Sequence, residues 1–253
     1  MNVFSNMFNK FFELVHKMHI RWGAKPPIGM TSKDAQMAKS DDTRAKITET
    51  AIESFRERGY DQTTIRLIAD EAGISVGNAY YYFPTKNHLV QELYLRVQDD
   101  HLRRVHAAFG SATDIAKRLE IALLCGLDAT GPYHDSAPGF LAAAIAPTSA
   151  VSPFGADAAE PRRMAIQVFQ EVVDGCTNAI PADLKRQLPE LLWLAYMGLT
   201  LFWVYDTSAA QGKSRALARS GSKLFGTVLP LARLPFARGP LNQLLDLIRE
   251  ART

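Results

Sequence analysis

From Ile47 onward, apolar residues recur at helical spacing. Ile47, Ala51 and Phe55 stand at i, i+4 and i+8, one stripe along one helix face. Asp41, Asp42 or Thr43 can cap that helix, which runs to about Arg58 with Gly59 just past its end. Thr63 or Thr64 opens a second, short helix with Ile65, Ile68, Ala69 and Ala72 inward, and Gly73 ends it. Ser75 caps a third helix through Tyr82, stopped by Pro84. Thr85 caps a long fourth helix from Lys86 to about Gly110, through Leu89, Leu93 and Val97. The later pattern predicts helices over 113–127, 137–147, 161–179, 183–207, 209–235 and 239–251. Gly131-Pro132, Ser152-Pro153-Phe154-Gly155 and Gly239-Pro240 punctuate them. No convincing period-2 strand and no internal repeat occurs, so the predicted class is all-α.

The first 41 residues have a different texture, and we read them as an N-terminal extension and linker, part helical or unstructured. Val3, Phe4, Met7, Phe8, Phe11, Val15, Met18 and Trp22 recur at roughly helical spacing, with Lys10, Lys17 and Arg21 elsewhere. A basic amphipathic helix of this kind can lie on a membrane or dock on a partner. The plainer reading is a poorly ordered extension, or a later start at Met30 or Met37. It makes membrane contact by residues 1–22 the less favoured alternative. Ala24 to Ser40, with Pro26, Pro27 and Gly29, reads as the linker.

Composition narrows the choices. The 253 residues suit a small domain followed by a larger one. Cys125 and Cys176 make no disulfide framework, and no Cys/His cluster has metal-binding spacing, so we expect a cytoplasmic protein without a metal. The apolar run Leu191 to Tyr205 falls short of the ~20 residues a membrane span needs. The N-terminus lacks the pattern of a signal peptide. There is no nucleophile elbow, phosphate-binding loop or dinucleotide fingerprint, and we expect neither an enzyme nor a cofactor. His134 and Asp135 beside Gly131-Pro132 read as a loop.

Residues 64–83 carry the chemistry: a helix, a tight turn at Gly73 and a second helix of about two turns. The small Ala69 lets the two helices approach, Ile74 can plug the corner, and Phe83 closes the core at the exit. The N-terminal turn of the second helix offers Ser75, Val76, Gly77 and Asn78, all small or hydrogen-bonding except the valine. A recognition helix presents such residues to base edges. Gly77 permits close approach, and Asn78 can pair bidentately with adenine or reach a phosphate. Tyr80, Tyr81 and Tyr82 are consecutive and cannot all face one core, so at least one ring is exposed. Lys86 is placed for a phosphate, as are Thr64 and Arg66 at the start of the preceding helix. Charge argues the other way: residues 42–101 hold seven basic and ten acidic residues, a net of −3, in a chain of net +3. Phosphate binding depends on where charges sit, and hydroxyls and backbone N–H groups contribute to it.

This segment resembles the TetR family of regulators. The resemblance rests on Ala51, Phe55, Gly59, Tyr60, Thr63, Thr64, Ile68, Ala69, Ala72, Gly73, Ile74, Ser75, Gly77, Tyr80, Tyr81, Phe83, Pro84, Lys86 and Leu89, across residues 42 to 95 without a gap. The Ala-Gly-Ile-Ser core and the Tyr-Tyr-Tyr-Phe-Pro-Thr-Lys run stand at the expected separation. The resemblance implies an N-terminal three-helix helix-turn-helix domain (42–101) and a C-terminal helical ligand-binding and dimerisation domain (102–253). It implies that Thr64, Ser75, Val76, Gly77, Asn78, Tyr80, Tyr81, Tyr82 and Lys86 face DNA; Arg66 is added from its placement. Tyr82 stands where family members often carry a His, which bears on one phosphate contact.

For the C-terminal half the resemblance implies a homodimer through the helices near 183–207 and 209–235. It also implies a palindromic operator and a small-molecule effector held under the fourth helix. Leu124, Phe140, Met164, Phe169 and Trp193 are candidates for the pocket, although apolar helical residues are core by default.

Overall fold

The computed structural model describes residues 32–145 and 149–233. Among them the regular structure is helical, with no strand. The helices are α1 (Ser32–Gln62), α2 (Ile65–Glu71), α3 (Val76–Tyr82), α4 (Lys86–Phe109), α5 (Ile115–Thr130), α6 (Ala137–Ile145), α7 (Ala159–Asp174), α8 (Ala182–Val204) and α9 (Gly212–Val228). Short 3₁₀ turns cover Gly131–Ser136, Ala156–Ala158, Ala209–Gln211 and Leu229–Arg233. The amphipathic stretch at 3–22 and the helix expected at 239–251 lie outside the described residues.

By packing, the chain divides into residues 1–46 and 47–253. In the first unit, Ser32 to Lys46 is helical, and Thr43 Oγ1 donates to the Lys39 carbonyl at 2.8 Å. Residues 32–40 of the expected extension and linker are thus helical. Lys33, Ala35, Gln36, Met37, Ala38 and Lys39 are good helix formers, and that propensity prevails over the lack of a large apolar stripe.

The second unit has two apolar clusters. Ile47, Ala51 and Phe55 of α1 meet Ile65, Ile68 and Ala69 of α2, Ala79 and Phe83 around α3, and Leu89, Val90 and Leu93 of α4. Phe55 and Phe83 are fully enclosed, each contributing about 1.5–3 kcal/mol by burial. Helices α5, α7 and α8 build the other cluster around Ile115, Leu127, Val168, Phe169, Val172 and Trp193. Helix α4 serves both: Leu89 and Leu93 belong to the first, Val105 and Phe109 to the second. The boundary read near residue 101 therefore falls inside one continuous helix.

The punctuation acts where it was expected. Gly59 leaves helical geometry at φ 79° and Gly73 adopts φ 63°, conformations costly to a side chain. At the end of α2, Gly73 N–H donates to the Asp70 carbonyl (3.1 Å) and Ile74 N–H to the Ala69 carbonyl (3.0 Å). This paired pattern satisfies carbonyls left over at a helix end and sets the turn into α3. Thr64 Oγ1 accepts from Leu67 N–H at 3.1 Å and Ser75 Oγ from Asn78 N–H at 3.2 Å, so both residues are caps. Thr85 occupies the cap position of α4 without a side-chain bond to its backbone N–H groups; its hydroxyl meets His88 Nδ1 at 2.8 Å.

Candidate functional site

Helix α3 buries one face and presents the other. Ala79 is fully buried, and the half-buried Val76 and Tyr82 pack on the same cluster. Ser75, Gly77 and Asn78 are exposed, with Tyr80 48% and Tyr81 79% accessible. The tyrosine run thus splits: Tyr82 leans on the core, while Tyr81 stands edge-on to it with centroids 5.2 Å apart. A β-carbon placed on Gly77 would meet nothing within 4 Å, so no intramolecular crowding requires glycine there. Thr64 and Arg66 are also exposed, at the start of α2. The exposed residues of α2 and α3 thus offer hydroxyls, an amide, two phenols and a guanidinium.

The residues behind α2 and α3 fix their attitude. Buried Thr63 donates to the Gly59 carbonyl at 2.8 Å and lies 3.2 Å from buried Ser54 Oγ. Arg58 pairs with Glu71 at 2.7 Å, tying the end of α1 to the end of α2. Lys86 is less free than its position suggests. Its Nζ donates to the Tyr60 carbonyl at 2.8 Å and lies 3.8 Å from the Tyr60 ring centroid. Burial lowers its pKa, opposed by Asp61. An ammonium has three donors, so this bond still leaves capacity for an anion.

A second site lies against α4. A cavity of about 220 Å³ is walled by Leu93, Tyr94, Val97 and Gln98 of α4, with residues from α6, α7 and α8. Of the expected pocket residues, Phe140 and Trp193 line it. Leu124, Met164 and Phe169 do not, and Phe169 is fully buried core. From α5 only Thr130 reaches it. Missed in the sequence were Tyr133, Arg162 and Trp203; Leu93 to Val97 at i, i+4 was the only signal, and it looks like ordinary core. Phe140 connects the two sites, lining the cavity while packing edge-on to Phe55 (5.3 Å) and against Tyr60 (5.9 Å).

His134 and Asp135 lie in a 3₁₀ turn rather than an irregular loop. His134 Nε2 bonds the Trp203 carbonyl at 3.0 Å and its ring stands edge-on to the indole, while Asp135 is fully exposed. That is a packing role. Among the described residues no group of His, Cys, Asp and Glu could hold a metal ion, and no helix is long and apolar enough to cross a membrane.

Comparison with known proteins agrees with this geometry. Residues 47–93 match the family described as bacterial regulatory proteins, tetR family, and residues 118–250 match the tetracyclin repressor-like C-terminal domain. The HTH-type transcriptional repressor KstR2 of Mycobacterium tuberculosis is 33% identical over 91 residues, 36% of this chain and 46% of that protein. The probable acrEF/envCD operon repressor of Escherichia coli is 35% identical over 88 residues, 34% of this chain and 39% of that protein. The match thus spans less than half of each of these curated relatives. Among solved structures, a TetR regulator from Nitrosomonas europaea superposes with a TM-score of 0.56 at 17% identity, covering 73% of this chain and 98% of that one. Thermus thermophilus FadR, solved with lauroyl-CoA, gives 0.53 at 18% identity, covering 73% and 93%. With both family matches laid on the helix-turn-helix and the helical domain behind it, the chain belongs to the tetR family of bacterial regulatory proteins, which are DNA-binding transcriptional regulators and not enzymes.

Proposed function

We propose that this chain is a ligand-responsive repressor that binds a palindromic operator as a homodimer in the cytoplasm. The observation that carries the reading is the outward face of α3. Ser75, Gly77, Asn78, Tyr80 and Tyr81 are exposed there on a rigid helix–turn–helix, flanked by Thr64 and Arg66. Asn78 reads a base edge, and Gly77 admits close approach. Tyr81, Tyr80, Arg66, Thr64 and Lys86 hold phosphates, Tyr82 supports Tyr81 from the core side, and Val76 seats the helix.

A dimer supplies the second recognition helix. Leu217, Leu224 and Val228 of α9 are exposed at i, i+7 and i+11, as are Leu201 and Phe202 of α8 and Tyr205 just beyond it. Such an apolar surface on two packed helices is suited to a twofold contact. The effector enters the cavity beneath α4. Its differential affinity for two arrangements of the chain biases the spacing of the recognition helices. The Phe140 contacts with Phe55 and Tyr60 offer a short route for that bias.

The test is a Leu217→Glu, Leu224→Glu double variant, compared with wild type by sedimentation and by affinity for a duplex enriched from random DNA. The double variant sediments as a monomer and loses at least about a hundredfold in affinity, since the second half-site is no longer tethered. A variant that stays dimeric, or a monomer of undiminished affinity, contradicts the reading.

A further inference from the structure

Residues 149–155, between α6 and α7 in the chain, form a strap whose backbone is gripped by side chains of two helices. Surface loops usually leave their carbonyls to water. Here Gln91 Nε2 of α4 donates to the Ala150 carbonyl at 3.1 Å, and the Tyr94 hydroxyl, about one turn on, donates to the Val151 carbonyl at 3.1 Å. From the other side, Arg162 Nη1 of α7 donates to the Pro153 and Gly155 carbonyls, both at 3.0 Å. Ser149 Oγ ties the strap to α6 through the Ala143 carbonyl at 2.6 Å, and the Phe154 ring stands edge-on to Trp193 of α8. Within the strap, Ser152 N–H donates to the Ser149 carbonyl (3.2 Å) and Gly155 N–H to the Ser152 carbonyl (3.0 Å).

The strap belongs to both halves of the second unit. Val151 is 2% exposed and sits in the same cluster as Phe55, Phe83, Leu89 and Leu93. Two residues further on, Pro153 lines the cavity, and so do Tyr94 and Arg162, which hold the strap. Whatever occupies the cavity therefore lies against the groups that fix this backbone, and the same backbone carries a side chain into the core on which α3 packs. The link shares no residue with the Phe140 contacts. Burial, with Tyr60 adding to it, pushes the Tyr94 pKa up to about 12, so its hydroxyl keeps the proton it donates. Hydrogen bonds of this kind are individually modest, so they are made in one arrangement of the helices and exchanged for water in another at small cost.

We propose that the 149–155 strap is a latch that sets α4, and that Tyr94 is a positioning residue for operator binding. With the strap closed on Gln91 and Tyr94, α4 holds α3 in the attitude that fits DNA. A molecule that draws Tyr94 or Arg162 away from the strap carbonyls releases it. This inference rests on the operator-binding reading. Coupling is reciprocal, so an operator that favours the closed strap also slows its opening.

The test is hydrogen exchange at the Ser152 and Gly155 amides of the full chain, with and without the duplex enriched from random DNA, in wild type and Tyr94→Phe. Affinity for that duplex is measured by anisotropy on the same preparations. The duplex is expected to slow strap exchange at least about threefold in wild type, the amides reporting local opening. Tyr94→Phe keeps the ring and removes the donor. It abolishes the slowing and weakens duplex binding about three- to tenfold, one net hydrogen bond. Gln91→Met, which removes the other α4 donor and does not line the cavity, is the second variant should Tyr94→Phe fail to melt cooperatively, and the same two effects are expected of it. A loss of melting temperature alone, with wild-type affinity for the duplex, is what a merely structural bond gives, and it overturns the latch. Strap exchange indifferent to the duplex in wild type also overturns it and leaves the operator reading standing. Absence of binding to any duplex by folded wild type overturns the operator reading and the latch with it.

Discussion

Gly77 is a residue whose fold and function pull apart. Glycine in a helix costs roughly 0.5–1 kcal/mol relative to alanine, and here a β-carbon would meet nothing within 4 Å. Gly77→Ala is therefore expected to raise the melting temperature while weakening operator binding. A melting scan and an anisotropy titration on the same preparation check it; unchanged affinity would mean that nothing approaches this surface closely. His101 behaves differently. It is fully buried, with Nε2 on the Ala122 carbonyl at 2.8 Å and its ring against Tyr196. Burial pushes its pKa down to about 4, which Arg104 reinforces and the Ala122 bond and Asp100 oppose. The unfolded chain, with an ordinary value near 6.5, takes up the proton first as pH falls. Stability is thus intact above about pH 6.5 and declines towards pH 4, by on the order of 2 kcal/mol between pH 7 and pH 5. Urea unfolding at the two pH values measures this, and His101→Phe flattens the difference.

Among the helices, those of the DNA-facing half were legible because each carries its own stop and start. Gly59, Thr64, Gly73, Ser75 and Pro84 act locally, and their geometry follows from backbone chemistry that a sequence displays directly. The cavity was not legible in that way. Phe140 and Phe169 look alike in a sequence, yet one lines the cavity and the other is enclosed core, because the difference lies in how α6, α7 and α8 cross. The bond from Lys86 to the Tyr60 carbonyl was equally hidden, since it spans 26 residues and depends on the break at Gly59. The packing of α6 on α1 leads to a further expectation. Phe140→Ala should cost about 3–5 kcal/mol if the site does not collapse. A milder Phe140→Leu should fold, bind operator and respond less to effector. Operator release at saturating ligand is the readout, and full release would remove Phe140 from the route.

For the molecule as a whole, α4 is the element that makes one device of two clusters. Its first turns pack with α3 in one cluster, its middle walls the cavity, and its last turns enter the other core. In the proposed dimer, a ligand that shifted this helix would shift the proposed DNA-facing surface, and two half-sites would double the consequence. The outward face of α3 is the central element of the proposed function. Its most direct test is selection of bound fragments from random duplex DNA, followed by titration of wild type, Asn78→Ala and Tyr81→Ala on the enriched site. An inverted repeat is the expected result. Asn78→Ala loses about 1–3 kcal/mol and its preference at particular base pairs. Tyr81→Ala weakens binding evenly across sequences. Absence of any enriched site from folded, dimeric protein, or equal binding by all three proteins, would contradict it.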